Sequence, residues 1–239
     1  MSVEAQPALD YSWLHDDLED DLVGAEWHQS AIRALATSLK TLAEAHDWPW
    51  HVGDQVTLVA CKPDNSAWRP APDIVIDPQL GPEERQEISV REEGPPALII
   101  EVVSASTWAY DVSLESTRRR KKQVGKAFGY LVGLRVPEYL VFDPRGEFLA
   151  GQCRAWRRVG DVVQEWHPEP DGRYHSQTLG ISVQPDGALL RVIDAEGKPV
   201  PFWFEASREN MALRQRIAAL EAELQQIRRL RQHDHVSEQ

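Results

Sequence analysis

A charged residue stands in the most apolar stretch of the chain. Residues 97–103 read ALIIEVV, and Glu101 interrupts six apolar neighbours. The run is short and rich in β-branched residues, so it predicts a central strand covered on both faces. A carboxylate there is costly to bury unless it is paired or holds a metal. A second acid, Asp73, opens another predicted strand, 73–77 (DIVID), which Pro72 and Pro78 bound. If the two strands are neighbours, both carboxylates converge at one sheet edge. A divalent cation removes their mutual repulsion, and oxygen ligands of this kind suit Mg²⁺ or Mn²⁺. Spacing alone leaves a second reading open, in which Asp73 caps a turn and Glu101 pairs with a lysine or arginine.

The surrounding pattern is that of a mixed α/β domain. From Glu26 the apolar residues Ile32, Leu35, Leu39 and Leu42 recur at helical steps until Pro49. Residues 55–60 (QVTLVA) predict a strand, and 78–96, charged and proline-bearing, predict an exposed excursion. Residues 112–132 predict an amphipathic helix, although Gly125 and Gly129 fall within it. Residues 138–142 (EYLVF) predict another buried strand, closed by Asp143-Pro144. Turn signals at Gly160-Asp161, Asp171-Gly172 and Asp186-Gly187 divide residues 146–193 into short strands, a β-meander. The order is helix, three strands, helix, strand, with added β-hairpins.

Charge and cysteine content narrow the class of function. The 239 residues carry a formal net charge of −12, which argues against a protein that coats nucleic acid non-specifically. A metal site needs acids, however, and the basic run Arg118–Lys122 could hold a phosphate backbone. Residues 1–24 form an acidic leader with no apolar core of the kind a secretory signal has. No run is long and apolar enough to cross a membrane. Cys61 and Cys153 make no CxxC pair and are expected to be reduced thiols in a cytoplasmic protein.

One set of residues carries a resemblance. Pro72-Asp73, the run Glu101-Val102-Val103-Ser104-Ala105-Ser106-Thr107-Trp108, Asp111, Gly125-Lys126 with Tyr130, Val136-Pro137-Glu138-Tyr139 and Asp143-Pro144 together resemble the Uma2 family, over about residues 25–195. Trp27-His28 is similar to the start of that family's first helix. The resemblance implies a PD-(D/E)XK restriction-endonuclease-like fold and a metal-dependent endonuclease acting on DNA. It implies Asp73 and Glu101 as ligands of Mg²⁺ or Mn²⁺. The motif lysine is expected two residues after Glu101, but position 103 is valine. A lysine on the following helix is the substitute, for which Lys126 fits best; Lys121 and Lys122 are alternatives. Glu26, His28 and Asp111 could join the site. Ser104, Ser106 and Thr107 are expected to form a turn and capping cluster. The competing reading is a non-catalytic interaction protein that keeps the fold.

The domain is expected to span residues 25–205, and residues 206–239 form a heptad helical tail. Leu213, Ile217, Leu220, Leu224 and Ile227 alternate four- and three-residue steps, the rhythm of a coiled coil. Asn210 shares the phase of Ile217 and Leu224, where a polar residue can fix register. The narrow stripe predicts a homodimer through this helix.

Overall fold

A computed structural model describes residues 26–61, 67–115 and 125–237. The acidic leader, Lys121 and Lys122, and the basic run Arg118–Lys122 lie outside the described residues, as do the side chains of Glu26, Cys61 and Ile227. The contacts divide the chain into one unit through Val200 and a second from Pro201.

The first unit begins with α1 (Glu26–Ala45). Ile32, Leu35, Leu39 and Leu42 form its buried face, as their spacing predicts. Asp47, in the left-handed region at φ 55°, ends the helix, and the Trp48 N–H bonds back to the Ala43 carbonyl. The strands that follow are β1 (His51–Asp54), β2 (Thr57–Cys61), β3 (Ala67–Trp68), β4 (Ile74–Asp77), β5 (Glu87–Ser89) and, after the short α2 (Val90–Glu93), β6 (Leu98–Val102). Next come α3 (Trp108–Asp111), α4 (Lys126–Phe128) running into a π-turn at Gly129–Gly133, and β7 (Glu138–Phe142). The meander supplies β8 (Cys153–Val159), β9 (Val162–Glu165), β10 (Tyr174–His175), β11 (Ser182–Asp186) and β12 (Leu189–Ile193).

Six strands form the central sheet in the order β1-β4-β6-β7-β8-β9. Only the β6–β7 pair is parallel within it. Strands β4, β6 and β7 are buried at every position, which explains why their sequences are mostly apolar without polar alternation. On one face, Ile74, Ile76, Leu98 and Ile100 pack with α1 and with residues of the β10-β11-β12 sheet, such as Val183 and Val192. On the other, Val75, Ile99, Val103 and Tyr139 pack with Leu58 and Ile88 of the β3-β2-β5 sheet, and with Tyr130 and Leu131 of the π-turn.

Three local expectations are corrected. The predicted strand 55–60 begins only at Thr57, because Gln55 takes a left-handed φ of 58°. It joins the small sheet, and β1, which the alternation rule passed over, takes the edge of the central sheet instead. The stretch 78–96 is not wholly an exposed excursion. Within it β5 runs parallel to β2, and Ile88 and Val90 are buried. The helix expected over 112–132 is not continuous either. Among the described residues, Val112–Glu115 is turn and irregular chain, Gly125 is irregular, and Lys126–Phe128 is helical. Gly125 accounts for the break: a Cβ at this position would lie 2.1 Å from the Ser113 carbonyl oxygen. That close backbone approach lets the Phe128 N–H bond to Ser113 O and the Gly125 N–H to Glu115 O.

The second unit is the helix α5 (Trp203–Ser237). The Glu205 carboxylate reaches back to accept the Phe202 N–H, 2.8 Å away, which is one half of a capping box and fixes the start of the helix. The apolar stripe lies open in the single chain, with Leu213, Ile217, Leu220 and Leu224 between 42% and 55% exposed.

Candidate active site

The register of the central sheet brings the two acids together. Ile74 pairs with Ile100 in the antiparallel β4–β6 ladder. One residue further along, Asp73 faces Glu101, and residues opposite one another project from the same face. On that face lie Val75, Ile99 and Val103, the side of the tyrosines Tyr130 and Tyr139. The Asp73 carboxylate accepts the Val102 N–H at 2.8 Å, so the residue ahead of β4 is tied to the end of β6.

Glu101 is only 2% exposed, and its two oxygens are engaged separately. The Tyr130 hydroxyl donates to Oε1 at 3.0 Å, and Lys126 Nζ lies 3.3 Å from Oε2. The same ammonium lies 3.4 Å from Asp111 Oδ1 and 5.9 Å from the centre of the Tyr110 ring. Lys126 is itself 7% exposed. Lys126 lies in α4 and Tyr130 in the π-turn that follows it, four residues apart and so on one face, and both reach one carboxylate. Asp111, at the end of α3, is held from the other side by its own carbonyl, which accepts the Tyr139 hydroxyl at 2.9 Å. Burial pushes the Asp111 carboxyl up, and the charge of Asp73 adds to this, while Lys126 and Thr107 pull it back without cancelling the rise.

His28 belongs to the same neighbourhood. Its Nε2 lies 2.7 Å from the Val102 carbonyl, which can only accept, so that nitrogen carries the proton. Nε2 is also 3.6 Å from Asp73 Oδ2. Burial alone would lower the His28 pKa; the hydrogen bond and charge of Asp73, the Val102 carbonyl and Asp111 outweigh it and the net shift is upward. Asp73 and His28 form the more open edge of the cluster, with side chains 14% and 11% exposed.

Ser104, Ser106 and Thr107 close the turn after β6. Thr107 Oγ1 accepts the Ser104 N–H at 3.2 Å, and the Ser104 hydroxyl lies within 3.1 Å of the Ser106 and Thr107 hydroxyls. They bond to one another and to the local backbone. Sequence reasoning passed over Tyr130 as a site residue, since a tyrosine among apolar residues reads as core. The signal available was its spacing from Lys126.

The donor chemistry fits a hard divalent cation. Glu101 and Asp111 bring two carboxyl groups to one basic side chain, Lys126, while Asp73 lies beside His28 and the Val102 N–H; Asp111 Oδ1 makes an ion pair rather than an aligned hydrogen bond. Among the described residues, these acids do not form a closed three-ligand cage; the group of that kind is His46, Asp194 and Glu196, at the surface. A cage is not required for Mg²⁺, which is commonly held by one or two carboxylates and completes its shell with water and substrate phosphate. A separate cavity of about 760 Å³ is lined by Trp108, Val112, Phe148 and Trp166, among others, and by none of Asp73, Glu101 or Lys126.

A restriction-endonuclease-like α/β sheet carrying paired acids and a lysine defines the class. Residues 7–182 match the family model Uma2, described as "Putative restriction endonuclease". The chain belongs to the Uma2 family. It is also similar to a solved structure described as "a putative nuclease belonging to DUF820 from Anabaena variabilis ATCC 29413", at 12% identity and a TM-score of 0.40, covering 65% of this chain and 77% of that one. No curated protein matches the chain. Among the described residues, no helix is long and apolar enough to cross a membrane.

Proposed function

We propose that this protein is a metal-dependent endonuclease that hydrolyses phosphodiester bonds in DNA, with Asp73 and Glu101 as metal ligands and Lys126 as the catalytic amine. The observation that carries the reading is the lysine 3.3 Å from the strand glutamate. It stands in place of the amine that Val103 cannot provide. Family membership supports a nuclease.

Asp73 and Glu101 would hold Mg²⁺ or Mn²⁺ between the ends of β4 and β6. When bound, such an ion supplies positive charge to a phosphoryl oxygen and acidifies a water molecule. The remaining groups prepare the site. Tyr130 fixes one oxygen of Glu101 and leaves the other to Lys126. Lys126 orients the attacking water and offsets the charge that builds on the phosphoryl group. Asp111, flanking the same ammonium, acts as a positioning residue. His28 and Asp73 both bond the backbone of Val102, His28 donating to its carbonyl and Asp73 accepting its N–H, and so hold Asp73 against β6.

Cleavage of linear, supercoiled and single-stranded DNA is expected with Mg²⁺ or Mn²⁺, none in excess chelator, and none by Glu101→Ala purified in parallel. Equal cutting by Glu101→Ala and the native chain would remove the assignment.

The reading includes a homodimer joined through α5. Leu213, Ile217, Leu220 and Leu224 are exposed in the single chain, and an apolar stripe on an isolated helix needs cover. Light scattering is expected to give twice the chain mass for the native protein and the single mass after truncation at Glu205. A dimer that survives truncation would place the interface elsewhere.

A further inference from the structure

The charged residues beside the apolar stripe carry more information than the stripe itself. With Asn210, Ile217 and Leu224 at a positions, and Leu213 and Leu220 at d, the flanking positions follow directly. Glu209, Arg216 and Glu223 occupy g; Arg214 and Glu221 occupy e. The sequence continues the alternation with arginine at position 228.

Within one helix these charges are placed to miss each other. Opposite charges support a helix when three or four residues apart. Glu209 has Ala212 and Leu213 at those distances, Arg214 has Ile217 and Ala218, Arg216 has Ala219 and Leu220, and Glu221 has Leu224 and Gln225. Among the described residues, none of these four makes an ion pair within the helix. α5 is unbroken from Trp203 to Ser237, so the whole pattern lies on one continuous rod.

Between two helices the same charges match. In a parallel, in-register pair each g residue faces the e residue five positions later on the partner. Glu209 then faces Arg214, Arg216 faces Glu221, and Glu223 faces position 228, every one a pair of opposite sign. Symmetry makes each contact twice. Asn210 faces its own copy, where two amides can hydrogen-bond across the seam. In an antiparallel pair g faces g and e faces e, and Asn210 is set against an apolar d position. Hydrophobic cover would be satisfied either way, and the antiparallel register that stacks Ile217 on Leu220 also pairs opposite charges; Glu209 then loses its basic partner and Asn210 meets an apolar position, so the asparagine and Glu209 separate the two.

We infer that α5 recognises a second copy of this chain as a parallel, in-register two-stranded coiled coil, with Asn210 against its own copy and Glu209 against Arg214 setting its direction, and Arg216–Glu221 as the second interhelical pair. This rests on the homodimer reading above. Because both helices then start at the same end of the rod, both preceding units are tethered there.

Sedimentation equilibrium of the full chain at low salt tests it through a charge swap. Arg216→Glu and Glu221→Arg are each expected to raise the dimer dissociation constant by roughly tenfold, since each places like charges opposite one another twice. The double variant R216E/E221R is expected to return to within about threefold of the native value, because the pair is restored with its signs exchanged. An antiparallel rod predicts the reverse. In the register that stacks Ile217 on Leu220, Arg216 faces Glu223 and Arg214 faces Glu221, so the double variant meets like charge at both places and dimerises worse than either single. That result, or four identical dissociation constants, would overturn the inference while leaving the homodimer intact. A native chain that is monomeric at all concentrations would instead remove the homodimer reading on which it rests. Circular dichroism of all four chains checks that helix content is unchanged.

Discussion

Lys126→Met is expected to lower metal-dependent cleavage by about 10²–10³-fold, the scale on which loss of one preorganised electrostatic group acts, and to destabilise the chain at the same time. The second effect follows from burial. The ammonium is the shared partner of Glu101 and Asp111, 3.3 and 3.4 Å away, and both acids are almost wholly buried. Methionine keeps the stem and removes the charge, which leaves two facing carboxyl groups without their cation. Loss of one member of a buried pair costs roughly 3–5 kcal/mol. Glu101→Ala behaves differently. It should abolish cleavage, yet Lys126 keeps Asp111 as a partner, so the cost is on the order of 1–3 kcal/mol, mostly the acceptor lost to Tyr130. Thermal melts distinguish the two. Because Asp73 and Glu101 are intact in Lys126→Met, Mg²⁺ should raise its midpoint, and it should do little for Glu101→Ala. Native cleavage rates in Lys126→Met would end the assignment of the amine.

Glu138→Ala is expected to cost about 3–5 kcal/mol of stability, as large as any single change outside the candidate site. Glu138 opens β7 and is buried at 2% exposure without a basic partner among the described residues. Its carboxylate instead accepts the Ser176 hydroxyl, the Gln177 N–H at 2.9 Å and the Thr178 hydroxyl at 2.7 Å. One side chain therefore anchors the loop between β10 and β11 to the central sheet. Alanine leaves those donors buried without an acceptor. Glu138→Gln keeps one oxygen acceptor and should lose about half as much. Urea denaturation measures both, and hydrogen exchange at Gln177 and Leu179 should accelerate in the alanine variant. A midpoint within about 0.5 kcal/mol of native would show that the loop is held by other contacts.

These two glutamates show where the sequence is legible. ALIIEVV and EYLVF identify buried strands because fully covered strands have no polar alternation. An acid inside or at the start of such a strand must have partners, so Glu101 stands out from its apolar neighbours alone. The identity of the partners is another matter. Tyr130 bonds Glu101 across 29 residues, and Glu138 is satisfied by a loop 38–40 residues away. The four-residue step from Lys126 puts Tyr130 on the same face, but nothing local in the sequence encodes which strand acid that face meets or which loop meets Glu138.

The sequence by itself determined the elements whose side chains repeat with one period: α1, the three buried strands β4, β6 and β7, the glycine turns of the meander and the heptad helix α5. Periodicity reports which face of an element is covered, and that is a local property of the chain. Tertiary structure decided which elements are neighbours. It put β1 rather than β2 at the edge of the central sheet, placed β5 beside β2 within a stretch that reads as exposed, and ended the expected helix at the close approach of Gly125 to Ser113. It also set Asp73 opposite Glu101 and put Lys126 between Glu101 and Asp111. These pairings span up to 30 residues, as between Thr57 and Glu87, and their free energy comes from burial and register shared across the whole sheet, which no window of sequence contains.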